Sequence, residues 1–307
     1  MGVALHRTLG LARPVDLRLT LGPLRRGRRD PCVALAGPEM WRATRTPDGP
    51  ATLHLRVDAP GARIRARAWG PGAGWALDGL PALVGAEDDD SGFETRHPLV
   101  HELRRRLAGL HIPRTRAVLE ALVPTIVEQK VTGVEAKRSY RDLVWALGDP
   151  APGPDGVDLG LVVPPSPATL ASTPSWAMHP FGIERKRADT IRRACAHARH
   201  LEEAVAMPGA DARRRLTSLP GLGPWSAAEV ALVALGDADA VSIGDFHLPH
   251  QVAWALAGKA RGDDALMLEL LEPWRGHRGR VCRLIVAGGL IAPRFGPKAA
   301  VRSWRSW

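Results

Sequence analysis

The 307-residue sequence is poor in cysteine, lysine and most aromatic residues, and its gaps exclude several classes of protein. Its three cysteines lie far apart and form no CxxC pair, which leaves no framework for zinc or an iron–sulfur cluster and disfavours a disulfide-stapled secreted domain. No apolar run reaches the roughly 20 residues of a membrane helix. The first residues lack the apolar centre of a signal peptide, so we expect a soluble, cytoplasmic protein with no membrane partner.

The chain has instead an ordinary globular composition with an excess of arginine. Hydrophobic residues make up 45% and charged residues 24%, and the length favours about two domains. Lysine and arginine total 42 against 32 acidic residues, a formal net charge of +10, and only five of the 42 are lysine. Arginine forks match phosphate oxygens, which makes nucleic acid a candidate partner. Basic charge dispersed over the surface of an arginine-rich protein is the alternative.

The first 95 residues have the pattern of β-strands. Apolar and polar residues alternate in three runs: 15–21, 51–57 and 62–69. Turn signals occur at 47–50 and 59–61, and an amphipathic segment follows at 75–84. The acidic run 87–92 is typical of a solvated linker loop rather than of a metal site. We therefore predict an N-terminal antiparallel sheet with a little helix.

From about residue 97 the apolar spacing becomes helical. The predicted helices carry a leucine face (Leu99, Leu103, Leu107, Leu110), a Thr115 cap, a segment 134–147, a Ser166 cap after a Pro- and Gly-rich loop, and a basic stretch 184–204. The tail 302–307 could be frayed or packed. The fold class is therefore α+β, with a small antiparallel N-terminal α+β domain (1–95) followed by an all-helical region (96–307).

The segment 216–230 holds the most informative pattern. Pro220, Gly221 and Gly223 predict a tight hairpin between two helices, and Pro224 can begin the second helix. Backbone amides at the start of that helix could bind a DNA phosphate without reading a base. A plain helical hairpin with glycine breaks is the alternative.

A single carboxylate follows about twenty residues later. Asp245 lies in the segment 241–249, at the junction of a loop and a helix. One interpretation is a helix N-cap, for which aspartate is well suited. The other is a reactive carboxylate that faces the same groove as the hairpin.

The hairpin, an apolar helix, Gly244 and Asp245 together resemble the helix-hairpin-helix superfamily of DNA glycosylases. The alkylpurine branch, DNA-3-methyladenine glycosylase II of the AlkA type, is the most similar in pattern. Residues 126–132 resemble its helix-end motif that inserts into the duplex, and residues 273–275 resemble its late Pro-Trp-Arg element. The strand-rich N-terminus resembles its leading α+β domain. The resemblance covers most of the chain.

The resemblance implies a monofunctional DNA glycosylase of base excision repair. It would flip alkylated purines of the 3-methyladenine type out of damaged double-stranded DNA and hydrolyse the N-glycosidic bond, with Asp245 as the catalytic carboxylate. Trp225 occupies the position of the nucleophilic lysine of bifunctional members, which argues against lyase chemistry, although Lys130 offers an amine near the cleft. A non-catalytic helix-hairpin-helix DNA-binding protein is the alternative from another class.

The resemblance also assigns DNA contacts and a base pocket. The implied DNA contacts are Gln129, Lys130, Gly221, Gly223 and Ser226, and the implied pocket residues are Trp225, Phe246 and Glu229. The chain departs from the family at three of its positions, since Lys130 replaces an apolar wedge, Glu229 replaces an aromatic residue, and Arg283 stands near an expected tryptophan. Lys130 as a surface residue and Trp225 as core packing are the alternatives.

No cofactor is expected to be required. The resemblance allows a monovalent cation at the hairpin, bound by the backbone carbonyls of Thr217, Leu219 and Leu222. His247 and His250 lie one turn apart without an evident third metal ligand, so we expect them to face solvent or phosphate. The cluster 185–187 and 192–193 is either a solvated helix face or a phosphate contact. A monomer is expected.

Overall fold

The computed structural model describes residues 3–58, 61–155 and 157–293, and the tail 302–307 lies outside them. Within the described residues, five antiparallel strands form one N-terminal sheet in the order β1-β5-β4-β3-β2. The strands are β1 (Leu5–Gly10), β2 (Val33–Ala36), β3 (Glu39–Thr46), β4 (Gly49–Asp58) and β5 (Arg63–Trp69), and a separate short pair joins β6 (Asp149–Pro150) to β7 (Val162–Val163).

Helices make up most of the remaining described chain. They are α1 (Leu17–Leu21), α2 (Ala73–Asp78), α3 (Leu80–Leu83), α4 (Pro98–Arg106), α5 (Val118–Glu128), α6 (Gly133–Leu147), α7 (Pro167–Ser172), α8 (Arg185–Ala196), α9 (Ala198–Glu202), α10 (Gly209–Thr217), α11 (Pro224–Val230), α12 (Leu248–Ala257), α13 (Asp264–Leu271) and α14 (Arg278–Ala287). Short 3₁₀ turns lie at Gly22–Leu24, Ser175–Phe181, Glu203–Ala206 and Glu272–Trp274, and α11 widens into a π-helical turn at Ala231–Leu235. The predicted α+β class is confirmed.

Two of the three alternating runs are strands, as predicted. In β5 the arginines point to solvent while Ile64, Ala66 and Ala68 are buried, because successive side chains of a strand face opposite sides. The turn signal at 47–50 connects β3 to β4, and Gly49 there has φ +121°, a conformation that favours glycine. The alternation of apolar and polar residues did not predict strands β1, β2 and β3.

The third run, 15–21, is a helix, so its strand prediction was wrong. The carboxylate of Asp16 accepts hydrogen bonds from the amides of Arg18 and Leu19 and caps α1. Leu17 and Leu21 are four residues apart and both are buried, which satisfies the helical period as well as the strand period. In so short a segment the cap decides between the two.

The acidic run 87–92 is not simply a solvated linker. The Asp88 carboxylate, 2% exposed, accepts hydrogen bonds from Arg280 at 2.6 and 2.7 Å and from the Ile112 amide at 3.0 Å. Asp90 pairs with Arg13 and Arg104. The run was predicted to be solvated because its partners are remote in sequence. Through the ion pair of Asp88 with Arg280, this run instead connects the N-terminal part of the chain to α14.

Two further predictions were wrong, namely a helix cap at Thr115 and an unbroken helix over 184–204. The carboxylate of Glu202 caps α5 by accepting from the amides of Val118 and Leu119 at 2.9 and 2.8 Å. The basic stretch breaks at His197, between α8 and α9. The helix over 134–147 and the Ser166 cap are confirmed.

The sheet and the helices share buried packing. One cluster of buried apolar side chains extends from α1 and the sheet through α5, α6 and α8 to α11, and a second surrounds α4 and α12–α14. The domain boundary at residues 95 and 96 therefore stays a prediction. In the described parts of the chain, no helix has the length and apolarity needed to cross a bilayer.

Candidate active site

The predicted hairpin connects α10 to α11. Gly221 has φ +99°, and a Cβ atom there would lie 2.5 Å from the hydroxyl oxygen of Thr190 on α8. A side chain at 221 is therefore disfavoured twice, by conformation and by packing. Arg193, also on α8, donates to the carbonyl of Pro220 at 2.7 Å. Helix α8 thus holds the hairpin from behind, and part of the predicted basic cluster has this structural task.

Gly223 differs from Gly221. Its φ is −108° and a Cβ atom would meet nothing within 4 Å, so the fold does not require glycine there. Helix α11 begins at Pro224, and none of the side chains that the structure describes caps its first amides. An open backbone edge with an uncapped helix start is the arrangement that allows close approach of an anionic backbone.

Gln129 joins the helix-end loop to the hairpin. Its side-chain amide donates to the Gly221 carbonyl at 3.1 Å and to the Ser226 hydroxyl at 2.9 Å. The next residue, Lys130, is exposed and has φ +56°, which is uncommon for a residue with a side chain. Two segments about ninety residues apart in sequence therefore form one surface, with Lys130 at its tip.

Asp245 is half-buried at the start of α12. Its Oδ1 accepts from the amides of His247 and Leu248 at 2.7 and 2.8 Å, and its Oδ2 accepts from the indole N–H of Trp225 at 3.0 Å. The capping interpretation is thus realised by one oxygen. A carboxylate has about four acceptor positions, so the second oxygen keeps one for a reacting group.

The implied pocket residues do not all come together. Trp225 is half-buried and holds Asp245, whereas Phe246 is 80% exposed and packs edge-on against His247 and His250. Phe246 therefore faces solvent beside the carboxylate rather than stacking opposite Trp225. His247 is exposed to solvent, as expected. A ring nitrogen of His250 accepts a hydrogen bond from the Gly262 amide.

Glu229 lies one turn after Trp225 in a group of charged side chains. It accepts a hydrogen bond from Ser242, and burial raises the pKa of its carboxyl although Ser242 and Arg26 oppose the rise. Arg26 pairs with Glu128 at 3.2 Å. Burial lowers the pKa of Arg283 to about 10, and the Glu229 charge offsets part of that effect. Glu229 on α11 therefore interacts electrostatically with three side chains from other parts of the fold: Arg26 in the N-terminal loop, Glu128 on α5 and Arg283 on α14.

Arg26, Glu128 and Ser242 are the residues that sequence reasoning missed. Glu128 stands next to Gln129 and Ser242 three residues before Asp245, so proximity to the motifs could have indicated both. Arg26 carried no such signal, because it comes from a loop about a hundred residues before its partner.

The basic cluster divides between burial and solvent. Arg187 is 3% exposed and donates to the carbonyl of Val127 at 2.7 Å, so it anchors the end of α5 and not a phosphate. Arg185 and Lys186 are exposed. At the proposed cation site the Leu219 carbonyl already accepts from the Leu222 amide at 3.0 Å. Among described residues, His, Cys, Asp and Glu side chains form no group of three that could hold a metal.

A cavity of about 480 Å³ lies away from these residues. It opens between the sheet and helices α5, α7 and α9, and its walls include Trp75, Arg116, Val123, Leu170 and Val205. None of the predicted site residues lines it. This cavity therefore does not coincide with the candidate site.

Comparison with known protein sequences gives one kind of relative. No family model matches the chain. A Mycobacterium tuberculosis protein described as a probable bifunctional transcriptional activator/DNA repair enzyme AlkA is 30% identical over 178 residues, which are 55% of this chain and 34% of that protein, and a second strain has the same match. The chain therefore spans about a third of the length of the curated relatives it matches.

Solved structures match over nearly the whole chain. A 3-methyladenine DNA glycosylase from Archaeoglobus fulgidus has a TM-score of 0.74 at 17% identity, covering 91% of this chain and 97% of that one. An 8-oxoguanine glycosylase/lyase from Clostridium acetobutylicum, solved with double-stranded DNA, has a TM-score of 0.71 at 11% identity, covering 94% and 97%. The predicted resemblance to DNA glycosylases is thus confirmed, and this chain has the fold of these solved glycosylase structures.

Proposed function

We propose that this protein is a DNA glycosylase that removes alkylated purines from double-stranded DNA in base excision repair. The observation that carries the proposal is the half-buried Asp245 carboxylate, oriented by Trp225 beside a hairpin with an uncapped helix start. The sequence relative supports DNA repair, and the glycosylase fold supports base removal.

The chemistry follows from the charge of the substrate. A purine alkylated on a ring nitrogen is cationic, so the electron pair of the breaking C1′–N bond neutralises the leaving base. Positive charge then develops on the deoxyribose, where the free acceptor position of Asp245 Oδ2 stabilises it. Water adds to C1′ and loses a proton. The two backbone amides on Oδ1 hold the carboxylate in place, so it need not reorganise during the reaction.

DNA would be held by the surface that Gln129 builds. The hairpin amides grip a phosphate beside the lesion, and Lys130 at the exposed tip fills the space left by the extruded base. Trp225 presents an indole where a Schiff base would need an amine, so we propose a monofunctional reaction. Trapping of a covalent DNA adduct by borohydride would contradict that part.

Substitution of Asp245 tests the proposal. Asp245→Asn should keep duplex binding but reduce release of methylated bases about 10²–10³-fold, because the amide cannot stabilise positive charge. The matched control is Asp263→Asn, since Asp263 caps α13 by accepting from the Leu266 amide at 2.9 Å and lacks the indole contact. The control should lose some stability and little activity. The measurement is chromatography of bases released from methylated duplex DNA.

The same assay distinguishes a DNA-binding protein without activity. Such a protein would bind the duplex with a steep salt dependence and release no base. If wild-type protein bound methylated DNA but released nothing, or if Asp245→Asn excised normally, the glycosylase proposal would be rejected.

A further inference from the structure

The polar groups around Glu229 have unused hydrogen-bonding capacity. Glu229 is half-buried and accepts a hydrogen bond from the Ser242 hydroxyl. Arg283 donates to the Leu19 carbonyl at 2.9 Å, while its buried Nε has no hydrogen-bond partner among the described residues. A buried guanidinium N–H without a partner is costly in a folded protein, and a ligand that accepted from it would remove that cost.

The position of Glu229 suits the far edge of a flipped base. Trp225 and Glu229 are four residues apart, so they stand on one face of α11, one turn or roughly 5.4 Å apart. Trp225 holds Asp245, the group nearest the sugar, and Ser242 ties Glu229 to the same loop. A purine with its sugar at Asp245 would therefore direct its outer edge towards Glu229, whose charge acts on the neighbouring Arg283.

The donors and acceptors of this pair match guanine better than adenine. A carboxylate only accepts, and its two oxygens fit the adjacent N1–H and N2–H donors of guanine. The guanidinium only donates, which suits the O6 acceptor, whereas N7 is no longer an acceptor in a guanine that is methylated there. Adenine presents a bare N1 lone pair next to its single amino group, so one carboxylate oxygen would face a second acceptor.

We propose that Glu229 and Arg283 form the hydrogen-bonding floor of the base pocket and select guanine-type alkylated purines over adenine-type ones. This inference rests on the proposed glycosylase function. It explains how a site in which Trp225 is the one half-buried aromatic contacting the carboxylate among the described residues can bind a base, because hydrogen bonds to charged groups replace stacking.

The test compares two bases released from one substrate. Duplex DNA treated with a methylating agent contains 7-methylguanine and 3-methyladenine, and kcat/KM is measured for each. Wild type should favour 7-methylguanine. Glu229→Gln and Arg283→Met should reduce 7-methylguanine release on the order of 10- to 100-fold and change 3-methyladenine release little. Arg283→Lys should recover only part of the loss, because it restores charge without the fork.

The matched control is Glu202→Gln. Glu202 is another half-buried carboxyl whose pKa burial raises, but it caps α5 away from Asp245, so the ratio of released bases should stay that of wild type. The selectivity inference would be overturned if Glu229→Gln and Arg283→Met lowered release of the two bases equally, or if wild type favoured 3-methyladenine. The glycosylase proposal would stand in either case. If wild type released neither base, both would fail.

Discussion

Two groups of buried charge connect the N-terminal part to the helices, and they differ in how completely they are paired. In the Asp88–Arg280 group, bonds of 2.6 and 2.7 Å are joined by a third from Arg280 to the Asp89 carbonyl at 2.9 Å. In the group around Glu229, the Arg26–Glu128 pair is longer, at 3.2 Å, and the Arg283 Nε–H has no partner within the described part of the chain. The protein itself satisfies the hydrogen-bonding groups of the first group, whereas the second group keeps hydrogen-bonding capacity for a ligand.

The difference teaches that a buried charge does not by itself mark a site. A saturated ion pair holds two parts of a fold in register, because removing either partner strands the other in the interior. An unsaturated group costs stability unless a ligand completes it. Stability and activity should therefore respond in opposite ways to substitutions in the two groups.

The largest effect on stability is expected from Arg280→Met. The variant leaves the Asp88 carboxylate buried without its guanidinium and should lower the free energy of unfolding by about 3–5 kcal/mol. Denaturant unfolding monitored by circular dichroism measures it. The control is Arg105→Ala, which breaks an exposed pair with Glu102 and should cost less than about 1 kcal/mol. Equal losses in the two variants would show that Asp88 is not held as described.

The two hairpin glycines give the next largest contrast. Gly221→Ala must adopt φ +99° against the Thr190 hydroxyl and should lower the free energy of unfolding by about 2–3 kcal/mol. Gly223→Ala meets no atom and should change it by no more than about 0.5 kcal/mol. Gly223→Ala should nevertheless weaken duplex binding in a fluorescence anisotropy titration, since its methyl group would meet the DNA backbone. Unchanged affinity would place the phosphate elsewhere.

A smaller effect of opposite sign is expected at Lys130. Lys130 has a positive φ, which glycine adopts without steric cost. Lys130→Gly should therefore raise the free energy of unfolding by up to about 1 kcal/mol, and it should slow base release because the side chain is lost. Arg116→Gly, at another non-glycine residue with positive φ, +58°, should leave base release unchanged. Thermal unfolding and the base-release assay measure the two properties. Normal excision by Lys130→Gly would remove this side chain from the flipping step.

The smallest expected effect is the pH dependence contributed by Glu229. Burial raises the pKa of its carboxyl in the folded protein above the unfolded value near 4.5. Folded protein therefore keeps a proton that the unfolded chain has lost, so this group's contribution to stability falls as pH rises from 4.5 through the raised pKa. The stability of wild type relative to Glu229→Gln should fall across that window and then level off. A difference that stayed constant with pH would contradict the burial.

The parts of the site that were predictable depend on local chemistry. Pro220, Gly221 and the spacing to Asp245 fall within a stretch of about thirty residues, and Trp225 contacts Asp245 across only 20 positions. The helix over 134–147 was predictable because its period and its cap are local as well. The run 15–21 shows the limit, since five residues satisfied both periods until the Asp16 cap decided between them.

Composition, the glycine–proline hairpin and the lone aspartate were determined by the sequence alone, because backbone conformation and helix starts depend on neighbours in the chain. Only the tertiary structure decided which carboxylates are satisfied. Arg280 reaches Asp88 across 192 positions, Glu202 caps α5 across 84, and Arg26 meets Glu128 across 102. The energy of a buried charge depends on what surrounds it in space, and those surroundings exist only once the chain has folded.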